Sequence, residues 1–293
     1  MKKKYLTIDI GGTFIKHSIM DEEYRILEEG SEGTKKNPEK FLKQLETLLL
    51  RYKKEVEGAA VCIAGFINPE TGENIDYSVG ENFRAYNLKQ ALSRAGEFPV
   101  ILENDSNCAA LGEMVMGAGR GLRDFCLLTF GTGIGGALVL DGNLYRGKHF
   151  KAGEAGLTLL GASMTDGKIL CESVGATSAL VREVSLSLER DVDGIYIFRH
   201  LDNPDILKKY DIWLEKAALV TGNTAMLLDP EAVLIGGGIC SSPRFIGDLR
   251  KTVYNMFPQL EAYTEIRACE TGNQAGRIGA LSLLLKQVCQ RGV

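Results

Sequence analysis

"DFCLLTFGTGIGGALVLDGNLYRGK", residues 124 to 148, is the stretch that decides the fold. An apolar run reaches Phe130, a glycine turn follows, a second apolar run reaches Leu140, and Asp141-Gly142-Asn143 turns the chain into a third short run. Such a pattern predicts strand, turn, strand, turn, strand. "YLTIDIGGTFIKHSIMDEEYRILEEG", residues 5 to 30, repeats it with Gly11-Gly12 at the first turn and Asp21-Glu22 at the second. Gly11 and Gly131 stand 120 residues apart. An internal echo on this scale predicts two lobes built on one plan.

Outward from the two copies, the chain alternates helix and strand. Phe41, Leu42, Leu45, Leu48, Leu49 and Tyr52 fall on one face of a helix. "GAAVCIAGF" from Gly58 reads as a buried strand, "NLKQALSRAG" as a short helix stopped by Gly96, and "PVILEND" as another strand. After the second copy come a long helix that includes Ile212 to Leu228, the strand "AVLIGGG" from Ala232, and a final helix from about Ala275 to Gln290. Strands separated by helices imply crossover connections and hence an α/β architecture. No low-complexity linker interrupts the chain, so the lobe boundary is expected in structured chain near Gly117 to Arg123. The expected N-terminal lobe is 1–118, with the helix of about 275–293 packing back on it, and the C-terminal lobe is 119–274.

Composition narrows the function classes. The chain has 293 residues, 45% hydrophobic and 25% charged, with a formal net charge of -4. That balance lacks the basic face that nucleic acid requires, and Lys2-Lys3-Lys4 reads as a solvated start. No window of about 18 uncharged apolar residues exists, and a strand begins by Tyr5, which leaves no room for a signal peptide. A cytoplasmic protein that binds neither membrane nor nucleic acid is expected. The 7 cysteines are scattered without a C-x-x-C pair and read as small buried apolar residues, not as a disulfide or zinc framework. His17, His149 and His200 are in no ligand spacing.

"GTGIGG" fits G-x-G-x-x-G at Gly131, Gly133 and Gly136, but a dinucleotide fingerprint needs a helix to follow and "ALVLDG" is a strand. "DIGGTFIK" fails in the same way and lacks P-loop spacing. A glycine hairpin can still hold phosphate, because without Cβ atoms the backbone N–H groups approach an anion closely and threonine hydroxyls add donors. Gly11, Gly12, Thr13 and Lys16, with Gly131, Thr132 and Gly133, are candidates, joined by a third cluster at Gly236, Gly237 and Gly238. A plain hairpin turn is the alternative for one isolated pair. Asp9, on the strand before the first turn, suits a Mg²⁺ ion, directly or through water, or else a capping or turn role.

"LENDSNCAALGE", residues 102 to 113, ends a strand on Glu103-Asn104-Asp105 and starts a helix. A carboxylate there is favoured by the helix dipole by roughly 0.3 to 1 kcal/mol. Asp105 or Ser106 also suits the N-cap. "DIGGTFIK", "ENDSNCAALGE", "FGTGIGGALV", "AGEAG" and "LIGGGI", in this order and over essentially the whole chain, resemble the ROK family of bacterial sugar kinases and sugar-responsive repressors. The resemblance implies an actin-like, ribonuclease-H-like fold of two lobes, with ATP, Mg²⁺ and a sugar in the cleft. It implies that Asp105 is the catalytic base, that Asn104 hydrogen-bonds a sugar hydroxyl, and that Glu154 and Glu172 accept from others. Glu172 also reads as a solvated or capping residue. Gly65 matches a glycine that closes over the sugar, although Ala64 stands where a proline is usual. A homodimer is implied as well.

Two departures matter. The histidine usual after the family's Glu-x-Gly is absent, since Leu157 follows Gly156, and "TDGKILCE" holds one cysteine where a zinc loop holds three. About four ligands are needed for structural zinc, so none is expected. Losing the histidine is expected to admit a larger group at the anomeric end, which suggests glucose or a β-glucoside such as cellobiose phosphorylated at O6. A kinase for another hexose, such as N-acetylmannosamine, is the alternative, with a silent sugar-binding protein, a repressor and a filament protein as further rivals. A repressor needs a helix-turn-helix, for which the residues before the first strand are too few.

Overall fold

The structure is a computed structural model that describes residues 2–74, 87–163 and 167–290. Both hairpin copies form as the alternation dictates. In the first, β1 (Lys4–Ile10), β2 (Phe14–Asp21) and β3 (Ile26–Gly33) make an antiparallel meander. α1 (Pro38–Tyr52) leads to β4 (Ala59–Ile63), parallel to β1; α2 (Leu88–Gly96) leads to β5 (Val100–Asn104), parallel to β4, and α3 (Asp105–Met116) follows. The second meander is β6 (Phe125–Phe130), β7 (Ile134–Leu140) and β8 (Asn143–Tyr145). A two-stranded sheet of β9 (Leu159–Ser163) and β10 (Gly167–Leu170) follows, then α4 (Cys171–Gly175), α5 (Thr177–Ser187), α6 (Gly194–Arg199) and α7 (Pro204–Leu228). β11 (Ala232–Gly236) pairs parallel with β6, and after α8 (Pro243–Met256), β12 (Glu265–Ala268) pairs parallel with β11. α9 (Ala275–Gln290) closes the chain.

The two five-stranded sheets therefore have one topology. The first runs β3-β2-β1-β4-β5 and the second β12-β11-β6-β7-β8, the same order read from the other end. The chain divides into two compact units, one of 1–120, 147–151 and 273–293, the other of 121–146 and 152–272.

In the first unit, strand alternation sends Leu6, Ile8 and Ile10 to a core with Leu45, Leu48 and Leu49 of α1. Tyr5, on the other face of β1, joins Ala60, Cys62, Cys108 and Leu281 under α3 and α9. Each fully buried aliphatic side chain contributes about 1.5–3 kcal/mol. α1 begins at Asn37, whose side chain accepts from the Lys40 N–H, with Pro38 in the first turn. α2 includes Gly96 as its last residue, and Glu97 takes the left-handed cap with φ 58°. Gly96 serves packing instead, since a Cβ there would lie 2.6 Å from the Phe98 ring.

In the second unit α7 starts well before Ile212, at an Asn203 cap followed by Pro204. Its Trp213, the single tryptophan, is buried and its indole N–H lies 3.0 Å from the Gly175 carbonyl and 2.9 Å from that of Ala176. Four cysteines (62, 108, 126 and 171) are buried, Cys240 and Cys269 are half-buried, and Cys289 is exposed at the end of α9. Among the described residues, no helix is long and apolar enough to cross a membrane.

Candidate active site

The first unit places a row of polar residues across its sheet. Lys16, Asp9, Cys62 and Glu103 are successive register partners on β2, β1, β4 and β5. The period of two puts them on the face that carries Tyr5, the face covered by α3 and α9. Asp9 is half-buried, and no ion pair joins it to Lys16 although the two stand opposite each other. Glu103 is fully buried, and its Oε1 accepts from the Asn104 N–H and the Asn107 Nδ2, each at 2.9 Å. Thus the strand ends on a carboxylate because that carboxylate ties the strand to the first turn of α3.

Asn104, not Asp105 or Ser106, is the N-cap of α3. Its Oδ1 accepts from the Asn107 N–H at 2.9 Å, and its Nδ2 donates to the Gly65 carbonyl at 3.0 Å. The amide that the sequence assigns to a sugar hydroxyl is thereby largely committed to backbone, with one N–H and one lone pair remaining. Gly65 has φ 111°, a conformation that favours glycine. The Asn104–Gly65 contact fixes this bend beside the helix start.

Capping by Asn104 leaves Asp105 in the first helical turn with an exposed residue surface. Its Oδ1 accepts the Ser106 N–H at 2.8 Å. The protein packed around the carboxyl raises its pKa above the ordinary aspartate value; the Ser106 N–H opposes this and the Asp9 charge adds to it. Behind it, the Cys62 and Cys108 thiols share a hydrogen bond. That bond and burial push Cys62 well up, while burial raises Cys108, so both stay neutral.

The two glycine turns share one hydrogen-bond plan. At the first, the Gly11 N–H donates to the Phe14 carbonyl, Thr34 Oγ1 donates to the Gly11 carbonyl, Lys36 Nζ to that of Gly12, and the Thr34 N–H to that of Thr13. At the second, the Gly131 N–H donates to the Gly133 carbonyl, the Ser178 N–H to that of Gly131, and Ser178 Oγ to that of Thr132. All three carbonyls of each turn are occupied. The N–H groups of Gly12, Thr13, Thr132 and Gly133 have no partner among the described residues. Gly12, Thr13 and Thr132 are exposed.

In the second unit a cavity of about 1110 Å³ opens beside the Gly131-Thr132 turn and is bounded by Ser178, Val181, Ile195, Phe198 and Gly238. Gly237 has φ 98°, and a Cβ there would lie 2.2 Å from the Phe130 carbonyl oxygen, so only glycine lets β11 close on β6 here. Gly236 lies against Thr129, away from the cavity lining. Glu172, in the first turn of α4, lies against Gly133; a Cβ on that glycine would stand 2.7 Å from the carboxylate. Half-buried Glu154 precedes the 3-10 turn Ala155–Leu157, where Gly156 is buried and Leu157 is 45% exposed.

Sequence reasoning misses Glu103 and Asn107, although Asn107 sits three residues after Asn104 in cap spacing. It also misses Thr34, Lys36 and Ser178, whose contacts to the turns carry no local signal. His17 and His200 are structural: the first is buried 5.9 Å from the Tyr52 ring, the second stacks on Tyr196 at 4.0 Å. Among the described residues, no cluster of three or more His, Cys, Asp or Glu is arranged to hold a metal. Thr165 and Asp166 of "TDGKILCE" lie outside those residues.

Known proteins share this plan. The β-glucoside kinase of Listeria monocytogenes is 32% identical over 296 residues, covering 97% of this chain and 98% of that protein. A crystal structure of a ROK family protein from Streptococcus pneumoniae in complex with sucrose superposes with a TM-score of 0.87 at 30% identity, covering 98% of this chain and 99% of the other. A ROK family glucokinase from Streptomyces griseus in complex with glucose and AMPPNP gives 0.76 at 25% identity, covering 96% and 98%. The α/β plan is accordingly the actin-like ATPase fold of these kinases. With residues 5–287 matching the ROK family pattern and relatives of this identity along nearly its full length, the chain belongs to the ROK family.

Proposed function

We propose that this chain is an ATP-dependent sugar kinase in which Asp105 is the general base. The observation that carries this reading is the placement of Asp105: in the first turn of α3, at a helix start held by Asn104 and Glu103, with protein packed around its carboxyl so that it is more basic than an ordinary aspartate. A base is most effective when its pKa approaches the working pH while it stays ionised. In the reaction Asp105 accepts the hydroxyl proton as the sugar oxygen bonds to the γ-phosphorus of ATP. The bond from that phosphorus to the β,γ-bridging oxygen breaks, and ADP leaves.

The unpaired N–H groups of Gly12, Thr13, Thr132 and Gly133 support a phosphate-holding role for both turns, with Lys16 adding charge. The apolar cavity next to Thr132 suits the nucleoside. Asp9, half-buried and without an ion pair among the described residues, fits Mg²⁺, which takes one or two carboxylates and completes its shell with phosphate and water. Bound there with ATP, the ion would neutralise charge developing on the phosphoryl oxygens. Zinc has no part in this reading.

For the acceptor we infer glucose or a β-glucoside, phosphorylated at O6. Support comes from the β-glucoside kinase relative, from the neighbour that holds the disaccharide sucrose, and from Leu157 in place of the usual histidine. Gly65, Asn104, Glu154 and Glu172 are the proposed hydroxyl partners. ADP release measured with ATP and glucose, cellobiose or N-acetylmannosamine tests this. Turnover of the first two is expected. Exclusive use of N-acetylmannosamine refutes the acceptor, and no release with any sugar refutes the kinase.

A further inference from the structure

The first unit carries a second concavity that the proposed reaction does not use. It has a volume of about 350 Å³ and lies where the end of β3 meets the outer face of α1. Lys40, Lys43, Gln44, Thr47 and Arg51 recur at helical spacing along α1, and Lys35 and Glu32 face them. Four cations thus line a cavity with a single carboxylate, in a chain whose net charge is -4. Lys35, Lys40, Lys43 and Arg51 make no ion pair among the described residues.

The lone carboxylate is already engaged. Glu32 Oε2 accepts from Gln44 Nε2 at 2.8 Å, and the same Nε2 donates to the Gly33 carbonyl at 2.9 Å, while Gln44 Oε1 accepts the Lys35 N–H at 3.1 Å. Gln44 therefore pins the end of β3 to α1 and holds the Lys35 backbone at the cavity. Placing four cations around a concavity with a single carboxylate leaves an excess of positive charge that an anion would relieve. Lysine ammonium groups act as point charges for phosphoryl oxygens, and an arginine can bind them in bidentate fashion. The volume holds more than a bare phosphate ion.

We infer that this cavity is a binding site for a phosphoryl dianion carried on a small molecule, the class that includes sugar monophosphates and pyrophosphate. None of the glycine-turn residues lines it, although Lys35 stands between Thr34 and Lys36, which brace the first turn.

Lysine acylation of the intact protein, mapped by mass spectrometry, reads the site directly. Inorganic phosphate, pyrophosphate and glucose 6-phosphate are each added at 10 mM, with sodium chloride matching ionic strength. The expected result is at least a threefold slowing at Lys35, Lys40 and Lys43, with no change at exposed Lys208 and Lys251. The protection should disappear in the Lys43→Gln/Arg51→Gln double variant, read at Lys35 and Lys40. Equal protection by all three probes shows that the phosphoryl group alone is read, and protection by glucose 6-phosphate alone shows that the sugar is read too. No slowing with any probe, equal slowing at Lys208 and Lys251, or protection that persists in the double variant overturns the site.

Discussion

Asp105 holds its proton to a higher pH than an ordinary aspartate because protein crowds it and the Asp9 charge faces it. Two outcomes follow from the sign of this shift. The acid limb of the kcat/KM profile should lie above the usual aspartate range of about 3.9, and a limb at or below it would remove the basis for the assignment. The folded carboxyl binds its proton more tightly than the unfolded one, so ionising it costs stability as pH rises through the elevated value. Asp105→Asn should therefore lower kcat about a hundred- to ten-thousand-fold while leaving sugar affinity largely intact. The same variant should melt above wild type at neutral pH, an advantage that fades as the solution is acidified toward pH 4. Calorimetry across pH, alongside turnover, checks both. Asn104→Ala removes the cap and the bond to Gly65, with an expected loss of about 1–2 kcal/mol by denaturant unfolding. In the sequence, "END" is legible as a strand end that starts a helix. That Asn104 caps and Glu103 is buried is not, because either residue could point outward without altering the local pattern.

At the scale of elements, the position of α3 depends on α9. A Cβ at Gly279 would lie 1.7 Å from the Cys108 carbonyl oxygen, and one at Gly112 would lie 2.2 Å from that of Ala275. The two helices meet backbone to backbone through these glycines, and α3 carries Asp105 at its start. Gly279→Ala should destabilise by roughly 1–3 kcal/mol, the usual range for overpacking, and lower kcat as well by shifting Asp105, the proposed base. Unchanged turnover with lowered stability would show that the helix start does not follow its packing. Ser178→Ala removes the support of the Thr132 carbonyl, worth about 0.5–1.5 kcal/mol. A rise of several-fold in KM for ATP with sugar affinity unchanged is expected in steady-state kinetics. The hairpins, α1 and α9 are all legible, since periods of two and 3.6 are local properties. The crossing at Gly279 is not, for a helical glycine reads only as a weak helix former. Nor is the Asn203-Pro204 start of α7 caught by apolar periodicity, because "NPDILKKY" announces itself through a cap.

Over the whole molecule, one sheet order is used twice, and each unit has a core of its own. The echo of glycine turns exposes this duplication in the sequence, because each copy must turn its chain in the same way. What the echo conceals is the difference between the copies. The first turn is braced by Thr34 and Lys36 at the end of β3, and the second by Ser178 at the start of α5. Separate cores predict that unfolding is not a single two-state event. Scanning calorimetry of the ligand-free protein should therefore resolve more than one transition, and a single transition whose calorimetric and van't Hoff enthalpies agree would show that the two cores unfold together. The contact of Trp213 with Gly175 and Ala176 gives the molecule an optical reporter. The only indole in the protein is anchored to the joint between the helix that bears Glu172 and the helix that bears Ser178. If the cavity beside Ser178 is the nucleotide site proposed above, emission colour and quenching should change on adding AMPPNP, without any label having to be attached.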